Sequence, residues 1–303
     1  MPIDKNANHE NSENGDNDAS PLATEDYPSS KVLPDTPQTR SASFIPAYAD
    51  TDFLLRDELR PARFQLELLK PELLQEEQGI DSTVVVFGST RIREPEEARE
   101  KLRLAEAAAA VNPEDAGLRR AAQIAARLEQ KSIYYELARE FGRLVTEGAL
   151  ASGPPNPVIV TGSGTGIMEA ANRGAHEAGG KSIGLNIIIP REQYPNRYVT
   201  PELCFQFQYF ALRKMHFLLR AKALVVFPGG YGTLDELFET LTLIQTRKMK
   251  ALPVLLFGRE YWESIIDFEA LVAEGAIDEK EHEIFQFVES PQQAWQIIQD
   301  FYA

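Results

Sequence analysis

Cysteine is nearly absent: Cys204 stands alone among 303 residues. That excludes an intrachain disulfide framework and a multi-thiolate metal cluster, and it fits a reducing compartment. Histidine is scarce too, with four in the chain. His176 and His216 fall in helical stretches with no second His or Cys at ligand spacing, so no metal site is expected. Positive charge is in deficit, 31 Lys and Arg against 46 Asp and Glu for a formal charge of −15. This argues against a partner that is a nucleic acid polymer, because the phosphate backbone calls for a basic face. No run approaches the ~20 apolar residues of a membrane span. The first residues, MPIDKNANHENSENGDND, also lack the apolar segment of a signal peptide. The expectation is a cytoplasmic protein without a membrane partner.

What is present is an ordinary globular composition, 43% hydrophobic and 25% charged. The acidity is uneven. Residues 1–43 carry eight acidic side chains against Lys5, Lys31 and Arg40, are rich in Pro, Asn and Ser, and hold few large apolar residues. Such a segment cannot bury enough surface to offset its ordering entropy, so a disordered acidic leader is expected. Residues 44–80 form a helical extension, in which Phe53, Leu54, Leu59, Phe64, Leu66, Leu68 and Leu69 recur at roughly helical spacing. Pro61 and Pro71 should break it into short helices.

From Thr83 the pattern changes to short β-branched runs that end in Gly with Ser or Thr: STVVVFGST, PVIVTGSG (157–164), KSIGLNI (181–187), ALVVFPGG (223–230) and LPVLLFG (252–258). Helical stretches separate them at 164–179, 210–221, 233–247 and 259–274. A short edge strand, EIFQFVES, and a closing helix, PQQAWQIIQDFYA, complete the chain. Strands alternating with helices predict an α/β fold over 81–303, a Rossmann-like, doubly wound parallel sheet with helices on both faces and ligands beyond the strand carboxyl ends. Residues 91–147 are extra. Asn112-Pro113 marks a turn between two Ala-rich helices, read as a helical hairpin inserted after the first strand for packing or subunit contact.

The strongest chemical signal is AKALVVFPGGYGTLDELFETL. A strand runs into Pro228, Gly229, Gly230, Tyr231, Gly232 and Thr233, then into a helix. Glycines permit close backbone approach, and a helix start offers unpaired N–H groups and a positive dipole end, which together suit a phosphate. Thr233 to Glu236 also spells a capping box, which would need no ligand. A second turn carries Gly162, Ser163, Gly164, Thr165 and Gly166, with G-x-G-x-G spacing rather than the dinucleotide G-x-G-x-x-G, and no acid follows the next strand to bind a ribose. A third turn is Gly88-Ser89-Thr90-Arg91. Three such turns on one sheet suggest a nucleotide or sugar phosphate, and no NAD.

FGST, TGSGTGIMEAANRGAHEAGG and ALRKMHFLLRAKALVVFPGGYGTLDELFETLTLIQ resemble the LOG ("Lonely Guy") family of Rossmann-like proteins, long labelled possible lysine decarboxylases. The resemblance covers roughly residues 83–302, and the PGGxGTxxE signature is complete from Pro228 to Glu236. It implies a nucleoside 5′-monophosphate phosphoribohydrolase, similar to AMP nucleosidases, that cleaves the N-glycosidic bond of AMP or cytokinin riboside monophosphates to free base and ribose 5-phosphate. It implies no cofactor and a homodimer or higher homo-oligomer. By resemblance the catalytic residues are Arg213 and Glu236. The turn from Gly229 to Thr233 is the phosphate cradle, Lys214 and Asp235 flank it, and Thr242 lies near the substrate, with Gly88, Ser89 and Gly162 to Gly166 completing the set. A non-catalytic carrier of a nucleotide or phosphorylated cofactor is the alternative on the same fold.

Overall fold

A computed structural model describes residues 33–152, 157–190 and 194–303. Most of the expected acidic leader, residues 1–32, lies outside the described residues. The chain divides into two units, up to Leu59 and from Arg60 onward. In the first, residues 33–59 form short turns and a one-turn helix, α1 (Thr51–Leu54), capped by Asp50 through a 2.9 Å bond from Phe53 N, and none of these residues is buried.

The second unit is built on seven strands: β1 (Ser82–Phe87), β2 (Pro157–Thr161), β3 (Ser182–Ile187), β4 (Cys204–Phe207), β5 (Ala221–Val226), β6 (Val254–Phe257) and β7 (Phe285–Val288). Their order is β4-β3-β2-β1-β5-β6-β7, and every pairing is parallel. Strand pleat divides the core. Val85, Phe87, Val160, Leu185, Leu224 and Val226 point to one face, and Val84, Val86, Ile159, Val225 and Phe257 to the other. Both faces are covered, as continuous β-branched runs require. The doubly wound α/β reading is therefore correct.

Helix α2 (Arg60–Glu77) leads into β1, and three helices link β1 to β2: α3 (Pro95–Val111), α4 (Ala116–Gln130) and α5 (Ile133–Ser152). Helices α6 (Ile167–Glu177), α7 (Phe210–Leu219) and α8 (Tyr231–Gln245) follow β2, β4 and β5. Beyond β6 lie α9 (Arg259–Ile265) and α10 (Phe268–Ala273), and α11 (Pro291–Tyr302) closes the chain. Phe217 of α7, Leu237 of α8 and Trp262 of α9 pack on the first face. Tyr135, Ala138, Phe141 and Val145 of α5, with Ile167 and Ala171 of α6 and Ala294 and Ile298 of α11, cover the second.

Two expectations change. Pro71 does not break the extension, because α2 runs through it as one helix. Pro71 costs one intrahelical bond, but it lies on the buried side of the helix, where packing keeps the helix whole. Gln75 Nε2 donates to Pro71 O at 3.0 Å, and Leu74 packs against the core. The segment after β1 holds three helices rather than two. Asn112 does end α3, but a second break at Lys131-Ser132 starts α5, whose buried aromatic face makes it a sheet-covering crossover helix.

Helices α5 and α6 meet closely because each offers a glycine. A Cβ at Gly142 would sit 2.2 Å from Ala171 O, and one at Gly174 would sit 1.8 Å from Arg139 O. Neither obstacle is a flexible side-chain tip. No helix among the described residues is long and apolar enough to cross a membrane. Gly174→Ala should therefore force the two helices apart, at about 1–3 kcal/mol for overpacking. Thermal denaturation should show a melting point several degrees lower, and an unchanged one would refute the close-contact account.

Candidate active site

The sheet order changes direction between β1 and β5, and a cavity of about 520 Å³ opens beyond their carboxyl ends. This is the switch-point crevice of an open α/β sheet. Phe87, Gly88, Ser89, Thr90 and Arg91 form one wall. Gly230, Tyr231, Gly232, Thr233, Asp235 and Glu236 form the opposite one, and Arg213, Phe210, Met168, Ile187 and Ile189 close the rest. The two turns are tied together: Phe227 N donates to Phe87 O at 2.9 Å, and Ser89 N to Pro228 O at 3.0 Å.

The helix after the signature starts earlier than a capping box requires. Helix α8 begins at Tyr231 with Gly230 as its N-cap, and no side chain caps it. Thr233 thus sits inside the first turn and Glu236 beyond it. The first bond back to the cap is Leu234 N to Gly230 O at 2.9 Å, and among the described residues the N–H groups of Tyr231, Gly232 and Thr233 meet no acceptor. Unpaired N–H groups at a helix start, with the dipole behind them, make an anion site. Gly229 has a packing reason, since its Cβ would strike Thr233 Oγ1 at 2.1 Å. A Cβ on Gly230 or Gly232 would meet nothing within 4 Å. Both glycines line the cavity, and no neighbouring atom crowds the backbone there.

Arg213 is held by its surroundings. Its Nε donates to Leu185 O at 2.7 Å at the end of β3, its guanidinium lies 5.0 Å from the Phe217 ring centroid, and its Nη2 occupies the space that a Cβ at Gly162 would take. Burial pulls its pKa below the ordinary guanidinium range, while the Glu236 carboxylate opposes that shift. Glu236 is 6% exposed, and although Thr240 Oγ1 donates to its backbone carbonyl at 2.9 Å, no described residue donates a hydrogen bond to its carboxylate. Burial raises its pKa to about 7, the attraction of Arg213 and Lys214 offsetting part of the rise. A carboxyl poised near neutrality beside a fixed cation can exchange a proton with water, and its ionised form can stabilise positive charge that develops in the cavity.

Other expected residues are placed elsewhere. Lys214 does not line the cavity. It lies one residue from Arg213, about 100° around the helix, and its Nζ reaches Asp235 Oδ1 and Glu239 Oε2, each at 3.1 Å. Burial opposes its charge, but bonds to Glu239 and Asp235 win and raise its pKa. Thr242 lies six residues past Glu236, on another side of α8. It lines a separate small hollow with Phe238, Leu241 and Gln245, and its hydroxyl donates back to Phe238 O at 2.7 Å.

The second turn does not form an open cradle. Gly162, Ser163, Gly164, Thr165 and Gly166 stand behind the cavity wall, and Met168 alone from that region reaches it. Several of their side-chain and carbonyl groups are engaged. Ser163 Oγ accepts from Asn186 Nδ2 at 2.9 Å, Asn196 Nδ2 bonds both Ser163 O and Gly164 O, and Thr165 Oγ1 donates to Thr90 O. Gly166, with φ of 72°, lets Ile167 N reach Ser89 O. This turn braces the Gly88–Arg91 turn.

Sequence reasoning missed Phe87, Phe210, Met168, Ile187 and Ile189 as cavity residues. Phe210 was findable, because it stands three residues before Arg213 on one helix face. Arg91 follows the Gly-Ser-Thr turn but is anchored there only through its backbone, whose N–H donates to Ser89 Oγ at 3.1 Å. Cys204 is half-buried at the start of β4, and burial raises its thiol pKa.

Residues 168–298 match the family model described as possible lysine decarboxylase. A cytokinin riboside 5′-monophosphate phosphoribohydrolase of Arabidopsis thaliana is 29% identical over 152 residues, 49% of this chain and 65% of that protein. One of Oryza sativa subsp. japonica is 29% identical over 154 residues, 50% of this chain and 60% of that protein. The resemblance to the LOG family holds, at modest identity. The chain spans less than two thirds of either relative's length. Among solved structures, the molybdenum cofactor binding protein of Rippkaea orientalis aligns with TM-score 0.41 and 20% identity over 56% of this chain and 88% of its own. The molybdenum cofactor carrier protein of Chlamydomonas reinhardtii aligns at 0.40 and 16% over 73% and 98%.

The elevated pKa of Glu236 has a consequence for stability. A carboxyl whose pKa rises from 4.5 unfolded to about 7 folded binds more protons in the native state between those values. Stability then falls as pH rises through that window, and the whole penalty is present above pH 7. Glu236→Gln should raise stability at pH 8, by up to about 3 kcal/mol at 1.36 kcal/mol per pKa unit, with the gain fading toward pH 5. Thermal melts at the two pH values check this. An equal gain at both would contradict it.

Proposed function

We propose that this chain is a nucleoside 5′-monophosphate phosphoribohydrolase, hydrolysing the N-glycosidic bond of AMP or a cytokinin riboside monophosphate to free base and ribose 5-phosphate. The observation that carries the reading is one cavity in which unpaired N–H groups at the start of α8 face the same space as Arg213 and the desolvated Glu236. The relatives' printed activity and the complete signature support it.

In this reading the 5′-phosphate rests on the N–H groups of Tyr231, Gly232 and Thr233. The fixed, planar guanidinium of Arg213 holds ribose or phosphate oxygens. Breaking the C1′–N bond builds positive charge on the ribose ring, as in O-glycoside hydrolysis, and ionised Glu236 stabilises that charge while it orients and deprotonates the attacking water. The base leaves with the bonding electron pair toward the apolar wall of Phe87, Ile187, Ile189, Met168 and Phe210, and the proton that Glu236 took from water passes back to its nitrogen, which restores the carboxylate. Assembly as a homodimer or higher homo-oligomer belongs to the same proposal on the strength of the family resemblance, and a cytoplasmic setting on the single cysteine.

The test is a panel of nucleoside monophosphates assayed for free base by chromatography. Base and ribose 5-phosphate should appear in equal amounts from AMP or a cytokinin riboside monophosphate. Arg213→Ala and Glu236→Gln should each lower turnover at least about 100-fold. The kcat/KM profile should lose activity on the acid side with an apparent pKa near 7, as Glu236 becomes protonated. Nucleotide binding without release of any base would defeat the hydrolase and leave the carrier.

A further inference from the structure

The helix that carries Arg213 has a poor start of its own. Tyr209 is the N-cap of α7, its side chain caps nothing, and Phe210, Ala211 and Leu212 contribute no side-chain acceptor. Helix α2 supplies what is missing. Glu67 Oε1 accepts from Gln208 N at 2.5 Å and Glu67 Oε2 from Tyr209 N at 3.3 Å. In a capping box a carboxylate within the same helix bonds the N-cap N–H, and a negative charge there also favours the helix dipole. Here that carboxylate comes from a residue 142 positions away from Tyr209 in the chain.

Around this contact the two helices are fastened at three further points. Phe64 packs edge-on against the Tyr209 ring with centroids 4.3 Å apart, and Arg63 Nε donates to Tyr209 Oη at 3.3 Å. At the other end of α7, Arg220 pairs with Glu72 and donates to Ile80 O at 3.0 Å. Between these, His216 is buried with Nδ1 3.2 Å from Glu72 Oε1, although neither ring nitrogen has the geometry of a hydrogen bond. Pro71, without an N–H, also leaves the Glu67 carbonyl without its helical donor.

We propose that Glu67 is a positioning residue of the active site: by capping α7 from outside, it fixes the first turn of that helix and with it the placement of Phe210 and Arg213 in the cavity. Phe210 and Arg213 lie three residues apart, on the face of α7 that lines the cavity, so a loosened first turn moves both. Helix α2 is thereby part of the functional unit, even though none of its residues lines the cavity. The inference rests on the reading of Arg213 as a substrate-holding group.

Hydrogen exchange and ligand affinity test it together, in full-length protein carrying Glu67→Ala or the milder Glu67→Gln. In Glu67→Ala the amides of Gln208 and Tyr209 should exchange at least about tenfold faster, while those of β6 keep their rates. Affinity for ribose 5-phosphate should fall about tenfold, the size of a coupling between contacting groups. In an Arg213→Ala background the same change should cost less than about twofold. Glu67→Gln, which keeps an acceptor oxygen, should fall between wild type and Glu67→Ala. Unchanged exchange at Gln208 and Tyr209 overturns the proposal, and so does an equal loss of affinity with and without Arg213, which marks a general structural role. Wild-type protein that releases no base tells against the hydrolase alone, and the exchange and affinity results still decide the role of Glu67.

Discussion

A cation and a carboxyl withdrawn from water into one cavity are the constraint to which the rest of the site answers. Arg213 cannot wander, because Leu185 O, the Phe217 ring and the bare backbone at Gly162 hold it on three sides. Glu236 receives no hydrogen bond that would stabilise its charge, and burial sets its proton affinity near neutrality. Ionised pairs in such places cost desolvation that their mutual attraction does not fully return. The sheet meets this by placing the pair at its switch point, where β1 and β5 end together and helix α8 presents its open N-terminus.

Much of the surrounding architecture bears on those two side chains. The second glycine turn braces the Gly88–Arg91 turn through Gly166 and Thr165, and is itself held by the Asn196 amide. Lys214 ties α7 to α8 through Asp235 and Glu239. Tyr261 of α9 donates its hydroxyl to Gly229 O, fixing the backbone that precedes the anion site. The outer helix α2 clasps α7 from its other side. A strained or desolvated site is commonly held in this way, by neighbours that over-determine its geometry.

The fold was legible because its signals are local. Valine-rich runs closed by glycine mark β1, β2 and β5, and the alternation of strands with helices leaves a parallel sheet as the economical solution. The PGG-Y-G-T turn was legible for the same reason, as was Glu236, which belongs to the signature. The site was less legible where placement depends on partners distant in sequence. Nothing local to Gly162 through Gly166 says that Thr90, Asn186 and Asn196 take up several of their polar groups. Nothing in Arg213-Lys214 says which of the two faces inward, since adjacent helix residues always diverge and packing alone chooses. Thr233 and Glu236 spelled a capping box, yet the helix began at Tyr231, because three-dimensional placement of the turn outweighed a local capping preference. Pro71 misled for a related reason: tertiary contacts with α7 and the core hold together a helix that an isolated peptide would break.

The central claim is that Arg213 and Glu236 act on each other inside a desolvated cavity, and a site-resolved NMR titration of the Glu236 carboxyl tests it most directly. The account predicts a midpoint near pH 7 in the ligand-free protein, moving higher when Arg213 is replaced by methionine, because the guanidinium is what restrains the rise. A midpoint between 4 and 5, the ordinary range of an exposed glutamate, or one that does not move when Arg213 is removed, would contradict it.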